Sequence, residues 1–289
     1  MELLRRFQMT VLAGLLLLCS CVSLQREPGP DLEAPDPGLE LATAIELADV
    51  SMHQDAMALV WRPDYRAPIA NEDLRRVGVL SADNALVQGT LFIQGTKAYL
   101  AFTGTHTAAA VWATLPGTPQ PWGGTGGKAQ DGVLRPFEAW VASGEASGVV
   151  HQAKEAGAED FVLLGYSQGG GLAVMMARWL AETEGLKCRV YTLNSLRSFQ
   201  ADFVAEYHRL GLSARNFIYR NDPVSEFPLG SAWFLPGTTQ VLDGPRGGLA
   251  LIDDHFLDHF FVLVDAAYRF HYPVQEPAAA VPSSSDEKK

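Results

Sequence analysis

Short apolar runs alternate with longer stretches of helical periodicity along most of this chain. Between residues 39 and 60, Leu41, Ile45, Leu47, Ala48 and Met52 recur at helical spacing. Two strand candidates follow, LVQGTLFIQ and the nearly continuous apolar run KAYLAFTG. A helical stretch is predicted around Phe137–Ala153, then a short strand FVLLGYS and a helix over Gly170–Glu184. The strand CRVYTLN, a helix around Gln200–Leu210, the strand NFIYR and a last helix over Phe256–Phe270 complete the pattern. Strands alternating with helices predict an α/β fold with a parallel sheet. The strands lack polar alternation, which suits a sheet covered on both faces by helices.

The two ends of the chain depart from this pattern. Residues 22–38 (VSLQREPGPDLEAPDPG) are rich in Pro, Gly and acids, the composition of a flexible tether. Residues 273–289 are depleted in core-forming side chains and read as a disordered tail. The predicted folded body is one domain over residues 39–272. Ahead of the tether, Arg5 and Arg6 precede a short apolar run from Val11 to Leu18. That run is shorter than the roughly 20 residues a membrane-spanning helix needs, so residues 1–20 read as an export signal. The sequence Leu18-Cys19-Ser20-Cys21 resembles a bacterial lipobox, with cleavage before Cys21 and a lipid on its thiol. No Asp follows Cys21, which in Gram-negative lipoproteins implies sorting to the outer membrane or periplasm, with the membrane face left open. Simple secretion is the alternative address.

Composition narrows the function classes. The 289 residues are 47% hydrophobic and 19% charged, enough apolar content for a sizeable core. The formal net charge is −11 and no basic cluster appears, which argues against nucleic-acid binding. Three cysteines (Cys19, Cys21 and Cys188) form neither a disulfide framework nor a zinc spacing, and Cys188 in CRVYTL reads as a buried core residue.

One motif carries chemistry. Gly165-Tyr166-Ser167-Gln168-Gly169 is a G-x-S-x-G sequence, entered from the apolar run Phe161–Leu164 and left through GGLAVMMARWLAE. A strand, a tight turn and a helix are what a nucleophile elbow requires, because the turn exposes the serine hydroxyl and the helix N-terminus favours negative charge. A serine needs a base, and the base an orienting acid. Downstream of Ser167 lie His208, His255, His259 and His271, with Asp222, Asp243, Asp253, Asp254 and Asp258 as candidate acids. Residue order leaves that choice open.

Four segments, in order, the elbow among them, resemble the class 3 (fungal-type) triacylglycerol lipase family across about residues 40–265. Ala101-Phe102-Thr103-Gly104-Thr105 is similar to its AFRGT strand end, with Trp112 following. Gly165–Gly170 is similar to its GHSLGG elbow, and Asn221-Asp222-Pro223-Val224 to its N-x-D-P-V segment. His255-Phe256-Leu257-Asp258-His259-Phe260-Phe261 is similar to its terminal H-x-L-x-x-Y-L helix. Thr103, Tyr166 and Gln168 depart from the Arg, His and Leu usual there.

The resemblance implies an α/β-hydrolase fold, built on a central, mostly parallel sheet. It implies Ser167 as nucleophile, His255 as base and Asp222 as the acid orienting it, with His259 one turn away as the rival base. The N–H groups of Thr105 and Gln168 are the implied oxyanion donors. The implied function is hydrolysis of carboxylic, lipid acyl esters without a cofactor or metal. A thioesterase, phospholipase or acyltransferase would use the same triad, and an inactive binding lipoprotein is the reading from another class. Residues 115–131 (LPGTPQPWGGTGGKAQD) are expected to form a loop carrying Trp122 on a flap over the cleft.

Overall fold

The computed structural model describes residues 75–81, 88–104, 118–123, 126–219, 222–228 and 232–242. The predicted helices over 39–60 and 256–270 lie outside the described residues. So do the signal and tether segments, Cys21, Thr105, Trp112, His255 and His259.

Seven strands form one sheet. In chain order its strands are β1 (Arg75–Ser81), β2 (Gln88–Gln94), β3 (Lys97–Phe102), β6 (Asp160–Tyr166), β7 (Arg189–Leu193), β8 (Ala214–Tyr219) and β9 (Thr238–Leu242), and they lie side by side in that order. β1, β2 and β3 form an antiparallel meander, β2 and β3 being joined across Gly95 and Thr96. From β3 to β9 every neighbouring pair is parallel. The architecture is therefore α/β with a mostly parallel sheet, as the alternation of runs predicts.

Four helices are described: α1 (Asp131–Ser143), α2 (Glu145–Glu155), α3 (Gln168–Thr183) and α4 (Ala201–Arg209). Strand residues Leu100, Phe102, Leu163 and Val190 share one buried cluster with Val133, Phe137 and Trp140 of α1, Leu172 and Met176 of α3, and Phe203 of α4. The opposite sheet face is equally buried, with Tyr99, Val162, Leu164 and Leu193 at 0–2% exposure. Strands buried on both faces explain why the sequence shows continuous apolar runs there.

Three differences from the sequence reading have local causes. The single helical stretch expected around Phe137–Ala153 is two helices, because Gly144 sits at φ 81° and turns the chain between α1 and α2. β1 and β9 were not expected. β1 carries two arginines and a register shift between Arg76 and Gly78, and β9 (TTQVL) is largely exposed, so neither shows the apolar run of a central strand. The segment read as a flap contains a two-stranded hairpin, β4 (Pro119–Pro121) with β5 (Lys128–Gln130).

That hairpin is held down. The Trp122 ring lies 5.3 Å from the Phe137 ring, and its N–H points to Glu182 on α3. Arg178, 1% exposed, donates to the Gly126 carbonyl and to Glu182, with its guanidinium 4.6 Å from the Phe203 ring and 6.0 Å from Trp122. Trp122 is thus packed toward the far end of α3 from Ser167, rather than suspended over Ser167.

Candidate functional site

The C-terminal edge of the parallel sheet gathers the motif residues. β6 runs into α3 through a single residue, Ser167, whose backbone stands at φ 55°, ψ −122°. A non-glycine residue at positive φ costs on the order of 1–3 kcal/mol and persists where its surroundings hold it. Here the Ser167 N–H donates to the Leu193 carbonyl at 2.9 Å, and the Ser167 carbonyl accepts from Gly170 at 3.1 Å.

Small residues make the turn possible. A Cβ on Gly165 would collide with the Gly169 carbonyl, and one on Gly169 with the Phe102 and Thr103 carbonyls. The G-x-S-x-G spacing is therefore a packing requirement, since α3 begins in contact with the end of β3. The first N–H groups of α3 have no intrahelical acceptor, so Gln168 presents its N–H beside Ser167 at the positive end of the helix.

β3 ends alongside β6, Phe102 pairing with Gly165. Thr103 is fully buried, and a Cβ on Gly104 would stand 3.1 Å from the Ser167 Cβ. The strand end that resembles AFRGT therefore passes directly over the candidate nucleophile. The buried position of Thr103, where the family's Arg would stand, is occupied by a short side chain.

Asp222 leaves the same edge two strands away. Parallel neighbours are about 4.8 Å apart, so the tops of β6 and β8 are separated by roughly 10 Å. Asp222 is 1% exposed. Its Oδ1 accepts the Val224 N–H at 3.0 Å, its carbonyl accepts from the Ser225 hydroxyl, and its N–H donates to Tyr219. Asp222 and Pro223 thus form a turn that holds the carboxylate inside the protein.

Between them, the top of β7 carries Asn194, a residue the sequence reading did not single out. It is fully buried at φ 46°, donates its N–H to the Phe217 carbonyl at 2.8 Å, and accepts the Tyr219 N–H on Oδ1 at 2.7 Å. Only the run YTLN ending an apolar strand hinted at it, since Asn tolerates the left-handed region better than most residues.

Two histidines are set apart by the fold. His151 is exposed on α2 and pairs with Glu155. His208, at the end of α4, accepts the Gly237 N–H just ahead of β9, at the opposite edge of the sheet from Ser167. Its candidacy as base ends there. Cys188 is buried, as expected, and burial with the nearby Asp160 charge pushes its thiol up to about 12. Among the described residues no group of three His, Cys, Asp or Glu side chains is placed to hold a metal ion.

The family model for lipase (class 3) matches residues 99–231, which run from β3 through the Asp222 turn. No curated protein matches the chain in sequence. Among solved structures, Rhizomucor miehei lipase in its propeptide complex is similar at 19% identity and TM-score 0.60, over 75% of this chain and 78% of that one. A triacylglycerol lipase described as having a serine protease triad as its catalytic centre is similar at 20% identity and TM-score 0.61, over 72% and 81%. A lipase of Yarrowia lipolytica is similar at 14% identity and TM-score 0.57, over 74% and 81%. The chain has the α/β-hydrolase fold, and over residues 99–231 it matches the class 3 lipase family model.

Proposed function

We propose that the protein is a serine hydrolase that cleaves carboxylic esters, specifically lipid acyl esters, through an acyl-enzyme on Ser167. The observation that supports this most directly is Ser167 held at positive φ on a strand-to-helix turn, within the segment that matches class 3 lipases. The Ser167 hydroxyl attacks the ester carbonyl while His255 takes its proton. The C–O bond to the alcohol then breaks as His255 returns that proton to the leaving oxygen. Water next attacks the acyl-enzyme, giving its proton to His255, and the carboxylic acid leaves as Ser167 is regenerated. Asp222 holds the imidazole in the tautomer that can accept the proton. The N–H groups of Gln168 and Thr105 stabilise the oxyanion, each donor typically contributing about 3 kcal/mol.

We further propose that the mature chain begins at Cys21 and carries lipid there. This would tether the hydrolase to the envelope of a Gram-negative bacterium, at the outer membrane. Two acyl chains or more give durable membrane attachment where a single chain is marginal.

The test of the first reading is hydrolysis of p-nitrophenyl butyrate and palmitate by the full chain in detergent, beside Ser167→Ala and His255→Ala. Activity that collapses in both variants is expected. Activity retained by Ser167→Ala overturns it, and activity retained by His255→Ala alone moves the base to His259. The anchor is tested by incorporation of labelled palmitate in the bacterium, which Cys21→Ala should abolish.

A further inference from the structure

Gln168 stands where lipases of the resembled family carry an apolar residue, and its side chain has a specific occupation. α1 contains Pro136. Proline has no N–H, so the carbonyl four residues earlier, that of Gly132, loses its intrahelical donor. Gln168 Nε2 donates to that Gly132 carbonyl at 2.5 Å, across a buried contact between the first turns of α1 and α3. The other amide atom, Oε1, is buried with no hydrogen-bond partner among the described residues, and the bond to Gly132 is the one described for the Gln168 side chain. The grip is sited one residue after the nucleophile, on the residue whose own N–H faces the reacting carbonyl.

We infer that Gln168 is a positioning residue: its side chain, seated on the carbonyl that Pro136 leaves open, fixes the Gln168 N–H against the developing oxyanion. This rests on the proposed serine-hydrolase reading. The physical case is that an oxyanion donor acts through preorganisation, and helix ends fray unless something holds them. α3 has no side-chain cap at its start. A buried tie to a second helix does that work instead. Packing alone would be served by an apolar side chain of the same length, without leaving Oε1 unpartnered in the interior.

The test is ester hydrolysis and thermal unfolding of the full chain as wild type, Gln168→Met, Pro136→Ala, and the double variant. Methionine keeps the length and removes the donor. Gln168→Met is expected to lower kcat about tenfold with KM unchanged. It should also leave the Gly132 carbonyl unpaired and lower Tm. Adding Pro136→Ala returns a backbone donor to Gly132, so the double variant should recover Tm and not kcat. Wild-type kcat in Gln168→Met overturns the inference, and so does recovery of kcat together with Tm in the double variant. Ser167→Ala run alongside keeps the two readings apart: hydrolysis surviving in it sinks the function, whereas the outcomes above sink only the role of Gln168.

Discussion

Asn194 Oδ1 accepts the backbone N–H of Tyr219 at 2.7 Å, joining the top of β7 to the top of β8. Ser167 is bonded to Leu193 on one side of this junction, and Asp222 to Tyr219 on the other. The proposed nucleophile and the proposed acid are therefore registered through the strand between them.

Substitution at this junction separates two effects. Asn194→Gly keeps the positive φ and loses the acceptor, so it should cost about 1–2 kcal/mol, the price of a buried N–H left unpaired. Asn194→Ala adds backbone strain of about another 1 kcal/mol. Chemical denaturation should rank wild type above Gly and Gly above Ala. Turnover should fall in both as the Asp222 turn loosens. An Ala variant as stable as the Gly variant would show that the φ constraint is not felt.

Gly165→Ala should abolish folded, active protein, because its Cβ has no room beside the Gly169 carbonyl. Gly148→Ala is the opposite case. Gly148 lies inside α2 with nothing within 4 Å of an added Cβ, so alanine there should stabilise by about 0.5–1 kcal/mol. Denaturant midpoints of the two variants, purified side by side, check both signs.

Arg178→Met removes the donor to the Gly126 carbonyl and the cation between Trp122 and Phe203. The loss should be on the order of 2–3 kcal/mol, since a buried carbonyl is left unpaired and a cation–π contact disappears. The readout is limited trypsin digestion at Lys128 in the hairpin. Wild type should resist cleavage there, and the variant should be nicked early. Equal resistance would mean that the ring contacts of Trp122 suffice.

Alkaline stability should depend on Cys188. Its thiol is pushed from 9.0 up to about 12, so between those values the folded chain keeps a proton that the unfolded chain releases. Stability contributed by the neutral thiol is present below pH 9 and declines above it, by at most about 1.4 kcal/mol per pH unit. Cys188→Val should flatten the decline between pH 9 and 10.5, measured by urea unfolding. An unchanged slope would place the alkaline lability in other groups.

Much of this was legible because the informative strands are buried on both faces. FVLLGYS, CRVYTLN and NFIYR appear as β6, β7 and β8 within two residues at each end, and the elbow motif falls on the turn its chemistry requires. Edge strands gave less signal. β1 and β9 have mixed polarity, since each has a neighbour on one side only among the described strands. The hairpin at 119–130 was hidden because prolines and glycines read as loop, while the contact holding it, Arg178 to Gly126, joins residues far apart in sequence. Asn194 was missed for a similar reason: its role comes from a bond to Tyr219 on another strand. Gln168 was noticed as a departure, but only its meeting with Gly132 ties that departure to Pro136.

The sheet order has a consequence for how the chain is made. β3 pairs with β6, Lys97 facing Asp160, and the hairpin, α1 and α2 all intervene. During synthesis, the meander β1–β2–β3 emerges before β6 and shows the apolar edge of β3 to its surroundings until β6 arrives. An unpaired apolar edge is a template for wrong partners. The strand end that lies over Ser167 in the finished protein is thus the stretch most in need of shielding while the chain is incomplete. A chaperone that recognises extended apolar segments would find it in residues 97–102.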